Sequence, residues 1–183
     1  MLAAIVALVL AQEIVPTAPS QAHPPALPAA GASSAVAPSL VPPGDLSSAP
    51  PLPDGPMMPV ARDDRGETFL VVDRTDKTGE VADFWTYEAF VPPIQIRPGA
   101  SVVQGLAHHQ VNCSKSTDQT LASAGYDESG VAIVALAASP TAPLVADSPY
   151  GMIARVLCTG RALPKTGETQ GHAAALTAAR RGG

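Results

Sequence analysis

Proline decides where this chain can fold. Residues 16–59 carry 13 of the 20 prolines, set among Ala, Ser and Gly. Each Pro lacks a backbone N–H and pushes the residue before it out of the helical region, so the stretch favours neither helix nor ladder. It also lacks the apolar bulk that would offset the entropy of ordering it. The span 12–65 therefore reads as a disordered, partly polyproline linker. Its Pro-x-x-Pro spacings are expected by chance at this density. A folded domain has to come from residues 66–160.

Composition sets the scale of that domain. Aromatic residues make up 4% of the 183 and charged residues 15%, with a net charge of −5. Few aromatics mean a modest core, because Phe, Tyr and Trp each bury the most area. No basic cluster precedes the last residues, so nucleic acid and anionic membrane surfaces are poor partners. Leu2 to Ala11 form an apolar run of signal-peptide length, with cleavage expected after Ala11. It departs from the usual signal in having no basic residue before the run. No segment is long and apolar enough to predict a transmembrane helix. No Cys follows the apolar run, so a lipid anchor is not expected.

The second half reads as strands. Glu67 to Asp73 is short, apolar and β-branched. Asp76-Lys77-Thr78-Gly79 is a turn signal, and Val81 to Phe90 follows as an aromatic strand that Pro92-Pro93 should end. Leu106 to Cys113 makes a third strand. Its alternation puts His109, Val111 and Cys113 on a buried face and His108, Gln110 and Asn112 on a polar one. Thr120 to Tyr126 and Val131 to Ala137 pair through Asp127-Glu128-Ser129-Gly130. Asp147-Ser148-Pro149 starts a helix, with apolar positions at Pro149, Met152, Ile153, Val156 and Leu157, and Gly160 caps its end. The expected fold class is α+β: an antiparallel meander of five strands, packed on one face by a C-terminal helix. Residues 161–183 lack a broad apolar stripe and read as a flexible or weakly helical tail.

Cys113 and Cys158 are the only cysteines. If the chain is exported, they read as one disulfide; if not, as two buried thiols. Two Cys and four His at irregular spacing match no zinc template. His108 and His109 are neighbours on a strand and point to opposite faces, so they cannot readily share one ion. Either could ligate a haem or sense pH, although structural roles are the plainer reading. Trp85 and Tyr87 share a strand face and could stack on a ligand, with core packing as the plainer reading. No GxSxG elbow, P-loop or GxGxxG pattern occurs, and Asp63-Asp64 and Asp127-Glu128 fall in predicted loops. The chain is therefore not expected to be an enzyme.

The order of these features has a parallel. Val72-Asp73-Arg74 at a strand end, a strand centred on Trp85, a strand ending in Cys113, the Tyr126-Asp127-x-x-Gly130 hairpin, the Ser-Pro helix start and a terminal Cys158 follow one another. This resembles the surface-adhesin protein E-like domain of proteobacterial envelope proteins, over residues 66–160. The resemblance implies a small antiparallel sheet with a C-terminal helix and Cys113–Cys158 as the matching disulfide. It also implies adhesin-like binding of host matrix proteins such as vitronectin and laminin, with haem binding and homodimers associated. The chain lacks the lipobox Cys and the Lys/Arg-rich segment of the matrix-binding type. The expected function is that of an exported, non-catalytic protein of the periplasm, cell envelope or surface, with a protein partner. The alternatives are a periplasmic haem binder using His108 or His109, and a structural envelope protein.

Overall fold

Consecutive β-branched and aromatic runs pair with their neighbours in chain order, because short turns can only return a strand antiparallel to the one before. The computed structural model describes residues 45–161 and 167–182. The signal-peptide expectation for residues 1–11 and the linker up to residue 44 lie outside the described residues. After a single 3-10 turn at Leu46–Ser48 come β1 (Pro56–Asp63), β2 (Gly66–Thr78), β3 (Val81–Arg97), β4 (Ala100–Asn112), β5 (Thr117–Tyr126), β6 (Ala132–Leu136) and β7 (Ala142–Pro143). They are followed by α1 (Pro149–Cys158), β8 (Thr169–Gln170) and α2 (Gly171–Arg181). One eight-stranded antiparallel sheet has the order β6-β5-β4-β3-β2-β1-β8, with the short β7 also on β5. The α+β class and the meander from β2 to β6 are as the sequence indicates.

Three differences have physical causes. β1 lies inside the span expected to be linker. There Met57 is fully buried and Met58 nearly so, enough apolar anchorage to order a strand despite its prolines. Pro59 sits where the β1–β2 register shifts, so its missing N–H interrupts no regular rung. β3 does not end at Pro92-Pro93 but carries them through an irregularity between Ala89 and Ile94 and resumes pairing with β4. The tail is no tail: α2 buries Ala175, Leu176 and Ala179 against the sheet. Two of these contacts come from alanines, whose small side chains let a helix approach closely and do not stand out as an apolar stripe.

The sheet is thus covered on both faces. On one, α1 lays Ile153, Ala154 and Leu157 on Met58, Leu70, Ala82, Phe84 and Val111. On the other, α2 covers Met57, Phe69, Val71, Tyr87 and Leu106. The stripe that α1 buries is rotated from the expected one. Met152 is exposed, while Gly151, Ile153, Ala154 and Leu157 face inward.

Local chemistry fixes each end. Ser148 Oγ accepts from Gly151 N at 3.0 Å and Pro149 occupies the first helical turn. At the far end, Gly160 adopts φ 68° and the N–H groups of Gly160 and Arg161 donate to Leu157 O and Val156 O. In the β5–β6 loop, Asp127 Oδ1 accepts from Ser129 N and Val131 N, each at 2.9 Å. These bonds hold the Asp127 carboxyl below its usual range, led by the Ser129 hydroxyl. A disulfide joins Cys113, just past β4, to Cys158 at the end of α1.

Candidate functional site

The four residues singled out as ligand contacts separate into three places. Trp85 and His108 are cross-strand partners on the α2 face, and their rings stack at 4.5 Å, 7° from parallel. The Arg74 guanidinium lies over the same indole, 5.5 Å from its centroid. It reaches there because β2 and β3 fall out of register between Val71 and Thr75. His108 Nε2 is bonded to an Asp83 carboxylate oxygen, and Gln110 Nε2 donates to the other at 3.4 Å. Tyr87 is wholly buried on that face; its hydroxyl donates to Gln104 Oε1 at 3.0 Å, with the His172 carbonyl at 3.2 Å.

His109 lies on the opposite face and is 1% exposed. Its ring is stacked between Phe84 at 5.3 Å and Tyr150 of α1 at 4.2 Å. Nε2 shares a hydrogen bond with Thr86 Oγ1 at 3.2 Å. Nδ1 faces Thr120 Oγ1 at 3.5 Å and Asp118 Oδ1 at 3.7 Å. Both nitrogens are thus turned to protein groups, and His109 presents none to a haem iron. Cys113 and Cys158 are joined to each other and offer no thiol. Among the described residues, no three His, Cys, Asp or Glu side chains gather in a way that would hold a metal. Nor is any described helix long and apolar enough to cross a membrane.

Sequence reasoning missed an open groove of about 400 Å³ beyond the N-terminal end of α1, on the α1 face. Its floor is made of small residues on adjacent strands: Gly105 and Ala107 of β4, and Ser123, Ala124 and Gly125 of β5. A side chain at Gly105 would meet the Phe90 ring, and one at Gly125 would meet Val102 and Val134. Small floor residues therefore let the walls sit low. Phe90, Ile94 and Ile96 of β3, with Val102, line it from one side, and Val134 and Leu136 of β6 from the other. Ile94, Ile96 and Leu136 are 40%, 42% and 43% exposed, although they are large and apolar. Toward α1 the lining turns polar, where the Tyr150 hydroxyl donates to Glu88 Oε1 at 2.5 Å. Burial, followed by the Glu88 charge, pushes the Tyr150 hydroxyl well above its ordinary value, so it stays a donor. The signal that could have revealed the groove was the run of small residues at Ser123-Ala124-Gly125 facing Gly105 and Ala107.

These features define a disulfide-clasped antiparallel sheet with a helix on each face and an apolar groove where α1 stops short. No protein-family model matches the chain, and no curated protein does. Among solved structures, Haemophilus influenzae protein E is similar, with 13% identity and a TM-score of 0.39, covering 59% of this chain and 98% of that one. That likeness is too slight to carry an argument about fold or function.

Proposed function

We propose that this chain is an exported, non-catalytic envelope or surface protein that holds a partner protein through the groove, in the manner of an adhesin. One observation carries the reading. Three large apolar side chains, Ile94, Ile96 and Leu136, stay exposed and converge on one concave surface. Contiguous exposed apolar area of this kind marks interaction surfaces on monomeric proteins. The Cys113–Cys158 disulfide supports export, since such bonds persist in oxidising compartments.

The test has two arms. Binding to immobilised vitronectin and laminin, the matrix proteins that the sequence resemblance implies, is measured for the wild type and for an Ile94→Asp/Ile96→Asp variant. Saturable binding that the variant loses is expected. No binding by the wild type overturns the adhesin reading, and equal binding by the variant overturns the groove. Alkylation of Cys113 without reductant, in protein taken from the producing cell, would sink the export reading.

A second reading, a periplasmic small-ligand carrier, draws on the groove's size, about 400 Å³. That falls within the roughly 300–1,000 Å³ of ligand pockets. For haem, an unchanged visible spectrum on addition to the protein removes it.

A further inference from the structure

We propose that the segment held in the groove is apolar and carries one Lys or Arg, whose charge is received by Glu88. This rests on the groove being the contact surface. Among the described residues lining it, Glu88 is the only carboxylate, and no Lys or Arg joins them. Glu88 makes no ion pair among the described residues. Arg65 shares an adjoining cleft with Glu88, and its guanidinium is turned to Asp63 at 3.5 Å. Glu67, in the same cleft, is paired with Arg62 at 2.6 Å. Glu88 is left as an unpaired negative charge at the polar end of an apolar groove, fixed in place by the Tyr150 hydroxyl.

Solvation chooses the occupant. Anything that fills the groove also takes water away from Glu88. A wholly apolar occupant would leave a carboxylate oxygen desolvated without a new partner, which costs free energy. An acidic one would add repulsion. A cation restores the lost interaction through a charge-assisted hydrogen bond. Asp118, with Oδ1 buried and lacking a hydrogen-bond partner, stands 3.7 Å from the groove-lining His109 and adds to the negative potential. Geometry sets the length. Leu136 on β6 and Glu88 on β3 are three strands apart, about 14 Å at ordinary strand spacing. An extended chain covers that in about four residues, so the cation follows a short apolar run.

Three labelled pentapeptides test this: Val-Leu-Ile-Leu followed by Lys, by norleucine or by Glu. Fluorescence anisotropy reads their binding to the wild type, to Glu88→Gln and to Ile96→Asp. The Lys peptide is expected to bind the wild type about tenfold more tightly than the norleucine peptide. The Glu peptide should bind least. Glu88→Gln keeps an acceptor for Tyr150 and should erase the preference, while Ile96→Asp should weaken all three. Equal binding of the Lys and norleucine peptides, or a preference that survives Glu88→Gln, overturns the proposal and leaves the groove standing. If no peptide binds the wild type, or Ile96→Asp changes nothing, the groove falls as well. Salt gives a measurement free of any variant. Raising it from about 50 mM to about 500 mM should weaken the Lys peptide and spare the norleucine peptide. Equal effects on both overturn the proposal.

Discussion

All three tyrosines of the chain place their hydroxyls inside the protein. Burial pushes Tyr126 up to about 12, with Arg74 opposing, while its hydroxyl donates to the Pro50 carbonyl. Tyr87 and Tyr150 are pushed higher still, again by burial first. The sign follows from linkage. Below pH 10 the hydroxyls are protonated in folded and unfolded chains alike, so the stability they contribute is fully present. Between pH 10 and about 12 the unfolded chain loses its protons first, and stability falls. Each tyrosine steepens the fall by about 1.4 kcal/mol per pH unit. Melting midpoints should be flat up to pH 10 and then drop. Tyrosinate absorbance should appear together with unfolding; its appearance in a still-folded protein at pH 10 would count against buried hydroxyls. The histidines teach a related lesson. Strand alternation was enough to put His109, fully buried, and His108, part-buried against Trp85, on opposite faces. What it could not supply was the stacking partner of each, because Tyr150 reaches His109 from a helix far along the chain.

Helices and strands differ in how openly the sequence declared them. α1 was legible from its Ser148-Pro149 start and Gly160 stop, which are local chemistry. Its buried side was not, since the stripe with the most apolar residues put Met152 inward while packing chose Gly151 and Ala154. α2 was the larger miss. Its contacts come from Ala175, Leu176 and Ala179, and alanine carries little weight in an apolar pattern. Its start is tied to the chain before β1, where Gly171 N and His172 N donate to Gly55 O and Pro53 O at 3.0 and 2.9 Å. Its last turn is tied to the β5–β6 loop, where Arg180 meets Glu128 at 2.6 Å. The disagreement between tail and packed helix has a direct test. Ala175 is fully buried, so Ala175→Asp places an unpaired charge under α2 and should cost about 3 kcal/mol or more in denaturant unfolding. A loss of a few tenths, as for a solvated tail, would show that α2 does not cover the sheet. The groove escaped notice for the same reason as α2: it is made of absences, small residues whose effect exists only when strands lie side by side.

At the scale of the molecule, covalent and non-covalent closure are divided between the two faces. The disulfide closes a loop across a sequence separation of 45, which contains β5, β6, β7 and the whole of α1. In the chain-entropy account a loop of that size is worth about 4 kcal/mol. A Cys113→Ser/Cys158→Ser variant should therefore unfold at a clearly lower guanidinium midpoint. An unmoved midpoint would make the bridge an ornament to a sheet already stable. Cys113 and Cys158 were the most readable pair in the sequence, since the only readings of a lone pair were a disulfide if the chain is exported and two buried thiols if it is not. The strand β1, next to the short edge strand β8, has no such closure. β1 is hydrogen-bonded to β2 and to the two-residue β8 and packed under both helices, with no disulfide of its own. A pull on the backbone at Asp45 would first break the Tyr126–Pro50 contact, then the bonds from His172 N and Gly171 N to Pro53 O and Gly55 O, and only then peel β1 away rung by rung. Antiparallel rungs opened one at a time yield at low force, so from this end the domain is mechanically soft. The stretch between Cys113 and Cys158 cannot lengthen while its bridge is intact.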